Sequence, residues 1–205
     1  MKTKIISASE KNSLKVLVHA LKKNQVIVYP TESSYGLGCL LENTQGRKRI
    51  YKIKKRRAGK SLPVIAGNEK IISKYATLTL LDKKLMQKFM PGALSLRVRA
   101  KKKVPKEFQK AGIVFRIPSN SFARKLSLKA NQPIISTSAN ISNQPSLYSG
   151  KEVIRVLMDK VDWVADAGKL KKRKASTIYD TKTKTIIRKG PVKEKEIVEF
   201  LKSFE

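Results

Sequence analysis

The segment from Val26 to Leu40 constrains the fold of this chain more than any other stretch. Its first four residues form an apolar, mostly β-branched run with the composition and length of a buried strand. Pro30 cannot donate a hydrogen bond to a sheet, so it predicts the end of that strand. Hydroxyl groups, a carboxylate and the glycines Gly36 and Gly38 follow. One interpretation is a strand that delivers small polar groups to the edge where open α/β sheets bind ligands, with glycines that allow close backbone approach. The other is an ordinary strand and turn.

Helical and strand patterns alternate along the rest of the chain. Leu94–Val98 and Ile113–Ile117 predict two strands that pair antiparallel, and the first of them alternates as a half-exposed strand does. The pattern predicts an α/β fold, a single domain over residues 1–205 with a twisted, mixed parallel and antiparallel open sheet flanked by helices. The predicted helices are 9–22, 43–55, 69–75, 79–89, 120–130, 151–159 and 193–204, and the further predicted strands are 62–66, 134–137, 163–165, 176–179 and 185–188.

The charge of the chain is its most unusual bulk property. Lysine and arginine total 46 against 15 acidic residues, a net charge of +31. Such a field attracts polyanions, with nucleic acid as the first candidate, although a general lysine bias of the source proteome would give the same excess. No apolar run approaches the roughly 18–20 residues of a membrane helix, and Lys2 and Lys4 precede no apolar signal segment. With Cys39 as the single cysteine, these features predict a cytoplasmic protein without membrane contact.

Several common catalytic arrangements are absent from the sequence. His19 is the single histidine and lies beside the apolar face of the first predicted helix, so triads based on histidine have little support. Neither a G-x-x-x-x-G-K-[ST] loop nor a G-x-G-x-x-G loop occurs. We therefore expect any nucleotide to be held by other groups.

Arg116 is the residue most indicative of an anionic ligand. It lies inside the strand pattern Ile113–Ile117, where a guanidinium is costly to bury unless it pairs with an anion. The alternative is pairing with an internal carboxylate, which we expect less in a chain with so few acidic residues. The run Ser136–Asn140 offers clustered hydroxyls and an amide, which suit either phosphate oxygens or a turn with helix-capping residues.

Together these stretches resemble the motifs of the YrdC/Sua5 family, the threonylcarbamoyl-AMP synthases. PTESSYGLG at 30–38 is similar to the family's PTE-x-x-YGLG, and STSAN at 136–140 matches a family motif directly. Further matches follow in family order: K-x-R at Lys54 and Arg56, PGALS at 91–95, FRIP at 115–118, ASTI at 175–178 and IRKG at 187–190. The chain departs from the family pattern at Ala66, Ala93, Ser95, Gly112 and Asn143. These departures concern the fine geometry of substrate binding rather than the fold.

The resemblance implies a YrdC-like single-domain enzyme, a nucleotidyltransferase. It would condense L-threonine, bicarbonate or CO₂, and ATP with Mg²⁺ into threonylcarbamoyl-AMP, releasing pyrophosphate. The product would serve the t6A modification of tRNA at position 37 through a separate threonylcarbamoyl transferase complex. The resemblance implies no protein-bound metal and no catalytic group beyond those that position substrates. It assigns Lys54, Arg56, Ser138, Asn140 and Arg188 to ATP, and Thr31, Arg116, Ser136 and Ser176 to threonine.

Two other functions are compatible with parts of the sequence. The charge alone fits a basic protein that binds tRNA or double-stranded RNA and assists RNA maturation, with a steep salt dependence because aromatic platforms for single strands are missing. A carbamoyl-transfer domain like those of hydrogenase maturation proteins is less expected, because those domains are fused to others with zinc-finger cysteines.

Overall fold

The computed structural model describes residues 2–56 and 62–203. The end predicted for the last helix, at Phe204, lies outside these residues. The strands are β1 Lys4–Ser7, β2 Ile27–Pro30, β3 Tyr35–Gly38, β4 Val64–Ile65, β5 Ala76–Thr77, β6 Leu94–Ala100, β7 Ile113–Arg116, β8 Ile134–Ile135, β9 Thr137–Ser138, β10 Trp163–Asp166, β11 Thr177–Asp180 and β12 Thr185–Arg188. The helices are α1 Ser13–Lys22, α2 Thr44–Ile53, α3 Glu69–Ser73, α4 Leu80–Phe89, α5 Lys106–Gln109, α6 Ser121–Ala130, α7 Gly150–Leu157 and α8 Glu194–Lys202.

The strands form two mixed sheets. The first has the order β1-β10-β2-β3-β9, and the second has the order β12-β11-β6-β7-β4-β8 with β5 attached beside β6. Both contain parallel and antiparallel pairs: β10 is parallel to β1 and β2, while β6 is antiparallel to β7 and parallel to β11. The predicted α/β class with an open mixed sheet is confirmed, with its strands divided between two sheets rather than one.

The segment that opened the sequence analysis forms the hairpin β2–β3. Gly36 and Gly38 lie within β3, which pairs with β2 on one side and β9 on the other. A Cβ on Gly38 would lie 2.1 Å from the carbonyl oxygen of Ile135 in β8. The close approach predicted from these glycines is therefore an approach between strands, and Thr31, Ser33 and Ser34 of the hairpin turn line the cleft described below.

Local capping explains where several helices begin. The Asn43 side chain accepts a hydrogen bond from the backbone N–H of Gly46 (2.8 Å), and the Asn120 side chain accepts one from Ala123 (3.0 Å). Thr79 opens α4 through a reciprocal capping box with Asp82. The predicted start of the first helix at residue 9, with Ser9 as its cap, is wrong: the Ser9 hydroxyl pairs with that of Ser7, and α1 begins only at residue 13.

The central strand β6 is more buried than its alternating pattern predicted. Leu94, Leu96 and Val98 pack into the larger hydrophobic core, and the Ser95 side chain, 3% exposed as a residue, borders a cleft. The half-exposed assignment is wrong for the first half of β6, because one face packs into the core and the other borders the cleft, where the Ser95 hydroxyl contacts that of Ser176. A second hydrophobic cluster packs α1 and α6 against the first sheet.

Candidate active site

A cleft of about 470 Å³ lies between the two sheets and is lined from both of them. It adjoins a second cavity of about 570 Å³, and Arg56, Thr137 and Ser138 line both. All nine residues predicted to bind substrates line one cavity or the other. The first is lined by Thr31, Arg56, Arg116, Ser136, Ser138, Ser176 and Arg188, and the second by Lys54, Arg56, Ser138 and Asn140. Among residues 2–56 and 62–203, none that lines either cavity carries a carboxylate.

Thr31 holds the turn between β2 and β3. Its hydroxyl donates to the carbonyl of Ser34 (2.6 Å) and accepts from the backbone N–H groups of Ser33 and Ser34 (both 3.3 Å). The threonine hydroxyl closes its own loop in the way that hydroxyl side chains favour turns. This turn fixes one wall of the cleft.

Arg116 forms the ion pair that the sequence analysis expected less. Its Nη1 donates to Oε1 of Glu32 at 2.5 Å, and the two side chains are 11% and 12% exposed. The other carboxylate oxygen of Glu32 is buried and accepts no hydrogen bond from the described residues. Burial raises the pKa of the neighbouring Tyr29 hydroxyl, an effect that the nearby Ser136 and Arg116 partly oppose. The floor of the cleft therefore carries a pre-formed charge pair with unused hydrogen-bonding capacity.

Lys54 anchors the loop that follows β9. Its ammonium donates to the carbonyls of Ser138 (2.6 Å) and Asn140 (2.8 Å) and to the Asn140 side-chain oxygen (2.8 Å). Burial, reinforced by the charge of Arg56, lowers the pKa of Lys54 to about 8. All three ammonium donors are directed at the loop, so Lys54 shapes the second cavity by positioning Ser138 and Asn140.

Arg188 and Ser176 are joined at the opposite wall. The guanidinium of Arg188 donates to the Ser176 carbonyl (2.8 and 3.0 Å) and to its hydroxyl (3.1 Å), and that hydroxyl contacts the hydroxyl of Ser95 at 2.8 Å. Desolvation, and then the charge of Arg116, lowers the pKa of Arg188. The arginines at the floor and wall are thus close enough to repel each other, which favours an anion between them.

The departures from the family pattern occupy positions that the backbone explains. Asn143 has φ +67° and Gly112 has φ +76°, and both glycine and asparagine adopt this left-handed conformation readily. Ser95 meets the Ser176 hydroxyl, whereas Ala93 and Ala66 contribute main-chain groups: the Ala93 carbonyl accepts from Thr177, and the Ala66 N–H donates to the Arg116 carbonyl. The backbone of the site is therefore compatible with these substitutions.

Three charged residues at or beside the cleft escaped the sequence analysis. Arg173 and Lys174 line the cleft, although the sequence analysis assigned them no role. Their position directly before the motif at 175–178 was the signal that pointed to the cleft. Glu32 stood in the PTE motif, but its pairing with Arg116 depends on a contact between residues 84 positions apart. Within the described residues, no group of three or more histidine, cysteine or acidic side chains is arranged to hold a metal ion.

These features define a class of protein: a mixed α/β domain whose two sheets enclose a cleft rich in cations and hydroxyls, suited to anionic ligands. The family model for Sua5, YciO and YrdC, described as "Telomere recombination", matches residues 19–190, and the chain belongs to this family. The resemblance drawn from the motifs is confirmed.

Relatives with names extend this result. A protein of Methanocaldococcus jannaschii with a provisional threonylcarbamoyl-AMP synthase name is 34% identical over 193 residues, covering 91% of this chain and 92% of its own. A threonylcarbamoyl-AMP synthase of Vibrio vulnificus is 28% identical, covering 87% of this chain and 99% of its own. The Escherichia coli protein YciO, named as uncharacterised, is 29% identical and covers 84% and 86%. The predicted enzyme class, a nucleotidyltransferase, is the class that the synthase names give.

Solved structures confirm the fold. Sua5 of P. abyssi complexed with L-threonine superposes with a TM-score of 0.89 at 24% identity, covering 98% of this chain and 61% of that chain. The crystal structure of E. coli YciO gives a TM-score of 0.83 at 25% identity, covering 96% and 98%. The chain thus spans about three fifths of the Sua5 protein and nearly all of YciO. Within the described residues, no helix has the length and apolarity that a bilayer crossing requires.

Proposed function

We propose that this protein is a threonylcarbamoyl-AMP synthase. It would condense L-threonine, bicarbonate or CO₂, and ATP into threonylcarbamoyl-AMP and pyrophosphate, in the cytoplasm, for the t6A modification of tRNA. The observation that carries the proposal is the convergence of the nine predicted residues on two adjoining cavities with a shared wall at Arg56, Thr137 and Ser138. The synthase names of the relatives support it.

In this proposal the floor of the cleft binds threonine. The planar guanidinium of Arg116 suits a carboxylate, and its Nη1 is occupied by Glu32. The hydroxyls of Thr31, Ser136 and Ser176 border the same space and offer donors and acceptors to the amine and hydroxyl of the substrate. Arg116 is therefore the group whose loss should affect threonine most directly.

The shared wall and the second cavity would bind ATP. Arg56 and the Ser138–Asn140 loop supply a cation, hydroxyls and amide groups, and Lys54 fixes that loop from below. Mg²⁺ fits this arrangement as part of the ATP complex, because the lining offers hydroxyls and carbonyls but no carboxylate that would hold the ion alone. When bound, the ion would neutralise phosphate charge.

The chemistry needs positioning more than proton transfer. The threonine amine adds to CO₂ and releases a proton to water, which gives a carbamate, and a carbamate oxygen then displaces pyrophosphate from the α-phosphorus of ATP. Holding the two reactants in line and neutralising the charge of the leaving group are the main contributions of such a site. Arginine and lysine side chains supply both without a histidine.

The direct test measures pyrophosphate release from purified protein with ATP, Mg²⁺ and bicarbonate, with and without L-threonine, followed by mass analysis of the nucleotide product. We expect threonine-dependent release and a threonylcarbamoyl adduct of AMP. Folded protein that releases no pyrophosphate in response to threonine would contradict the proposal.

The same assay tests the role of Arg116. In Arg116→Ala, pyrophosphate release should no longer depend on threonine, whereas ATP binding, measured by calorimetry, should be retained. An unchanged KM for threonine in this variant would contradict the assignment. Ser33→Ala is a matched control, because Ser33 also lines the cleft and was not predicted to bind a substrate.

Binding of tRNA or double-stranded RNA is a second candidate function, favoured by the net charge of +31. The packed helices α1 and α6 expose Lys15, Lys22, Lys125 and Lys129. If this surface contacts RNA phosphates, the logarithm of the affinity should fall linearly with the logarithm of salt concentration. Filter binding of tRNA without ATP or threonine separates this function from the synthase, and the two are compatible in one protein.

A further inference from the structure

A basic segment borders the cleft outside the predicted substrate set. We call residues 169–174 the basic strap, because five of its six residues are lysine or arginine. The strap joins the end of β10 in the first sheet to β11 in the second, so it bridges the two sheets beside the cleft between them.

Contacts at both ends hold the strap in place. Near its start, the backbone of Lys169 forms an isolated antiparallel β-bridge with that of Ser149, and the Leu170 N–H donates to the Tyr148 carbonyl (2.7 Å). The Lys172 ammonium lies 5.7 Å from the centroid of the Tyr148 ring. Just past its end, the Ser176 carbonyl accepts from the Arg188 guanidinium. The last two residues of the strap are thereby presented to the cleft by fixed neighbours.

Arg173 and Lys174 are unneutralised cations at the cleft. Both line it, and neither makes a hydrogen bond or an ion pair with residues 2–56 or 62–203. The same lining includes Arg116 and Arg188, and its described residues carry no carboxylate. Of these cations, Arg116 is already paired with Glu32, whereas Arg173 and Lys174 have no counter-charge among the described residues, which favours a ligand with several negative charges.

Resting on the proposed function, we propose that Arg173 and Lys174 bind the phosphate chain of ATP and the pyrophosphate that leaves it. Threonine bound at Arg116, which is 9% exposed, would place the reacting α-phosphate deep in the cleft. The strap cations are exposed at its border, so they suit the outer phosphates. As the bond between the α-phosphorus and the bridging oxygen breaks, its electron pair stays on pyrophosphate, and these cations would stabilise that charge.

Calorimetric titration with inorganic pyrophosphate tests the proposal without turnover. The double variant Arg173→Ala/Lys174→Ala should weaken binding about ten- to a hundredfold, the loss expected for one or two charge-assisted hydrogen bonds. The control Lys169→Ala/Lys171→Ala removes the same charge from the same strap at residues that do not line the cleft. It should weaken binding less than about threefold, because separated exposed charges are screened beyond about 8 Å at physiological salt.

The remaining outcomes are decisive. Equal weakening by both double variants, or no weakening by Arg173→Ala/Lys174→Ala, would overturn the proposal. The affinity for AMP, titrated in the same way, should change less than about threefold in either double variant. A larger loss of AMP affinity in Arg173→Ala/Lys174→Ala would also overturn the proposal, because these cations would then bind the inner phosphate. Failure of the wild-type protein to release pyrophosphate with threonine would instead refute the proposed function, and the titration separates the two failures.

Discussion

The buried pair between Arg116 and Glu32 allows a quantitative prediction about stability. Glu32→Gln preserves the shape of the side chain and a hydrogen bond to the guanidinium but removes the counter-charge. Removal of one partner from a buried pair costs about 3–5 kcal/mol, because the other charge remains desolvated. Since the two side chains are 11% and 12% exposed, we expect the lower end, about 3 kcal/mol. For a domain of this size such a loss lowers Tm by about 6–12 °C.

Thermal and urea unfolding of wild-type protein and Glu32→Gln measure this cost. The matched control is Glu199→Gln, which breaks the exposed pair of Glu199 with Lys195, whose side chains are 62% and 85% exposed. Exposed pairs of this kind contribute less than about 0.5 kcal/mol. If the two variants lose the same stability, Arg116 is not paired with Glu32 in solution, and the argument for a pre-formed charge pair at the floor of the cleft fails.

Three further predictions concern other parts of the site and its frame. The native state releases the Lys54 proton near pH 8, whereas the unfolded chain keeps it to about pH 10.5, so the stability of the wild-type protein should rise relative to that of Lys54→Met between these pH values. The rise should reach about 3 kcal/mol in urea unfolding, and parallel curves of stability against pH would contradict the lowered pKa of Lys54. Gly38→Ala should prevent folding, because its Cβ would meet the Ile135 carbonyl oxygen at 2.1 Å. Gly168→Ala, with φ +68° and nothing within 4 Å, should lower the free energy of unfolding by about 1 kcal/mol, measured by circular dichroism, and comparable losses of stability in the two variants would contradict the strand-packing explanation. Asn143→Gly should leave the KM for ATP nearly unchanged and Asn143→Val should raise it, because φ +67° suits glycine and strains a β-branched residue. An equal KM in the two variants would mean that ATP binding does not depend on this backbone conformation.

Local features of the fold were predictable from the sequence because their causes are local. Asn43, Thr79 and Asn120 cap helices through hydrogen bonds to residues three positions later, and the sequence displays both partners of each contact. The antiparallel pair β6–β7 was also predicted, since two strands close in sequence commonly pair.

Contacts between distant residues account for what the sequence did not show. The side chain of Arg116 meets Glu32 across 84 positions, and the number of acidic residues does not reveal which of them is near. Lys54 was predicted to contact phosphate, and the sequence did not show that its ammonium also donates to the Ser138–Asn140 loop across 84 and 86 positions. The motif residues that surround the cleft were predictable by resemblance, but the contacts that each of them makes depend on tertiary geometry.

The order of the first sheet has a consequence for synthesis on the ribosome. Strands β1 and β2 are never neighbours, because β10, residues 163–166, lies between them and pairs in parallel with both. Until that strand emerges, β1 has no partner and β2 is paired only with β3, so both strands carry an open edge that invites pairing with other chains. The N-terminal half therefore cannot complete its sheet before residues 163–166 have emerged, and chain fragments that end before residue 163 should aggregate rather than form a stable smaller domain.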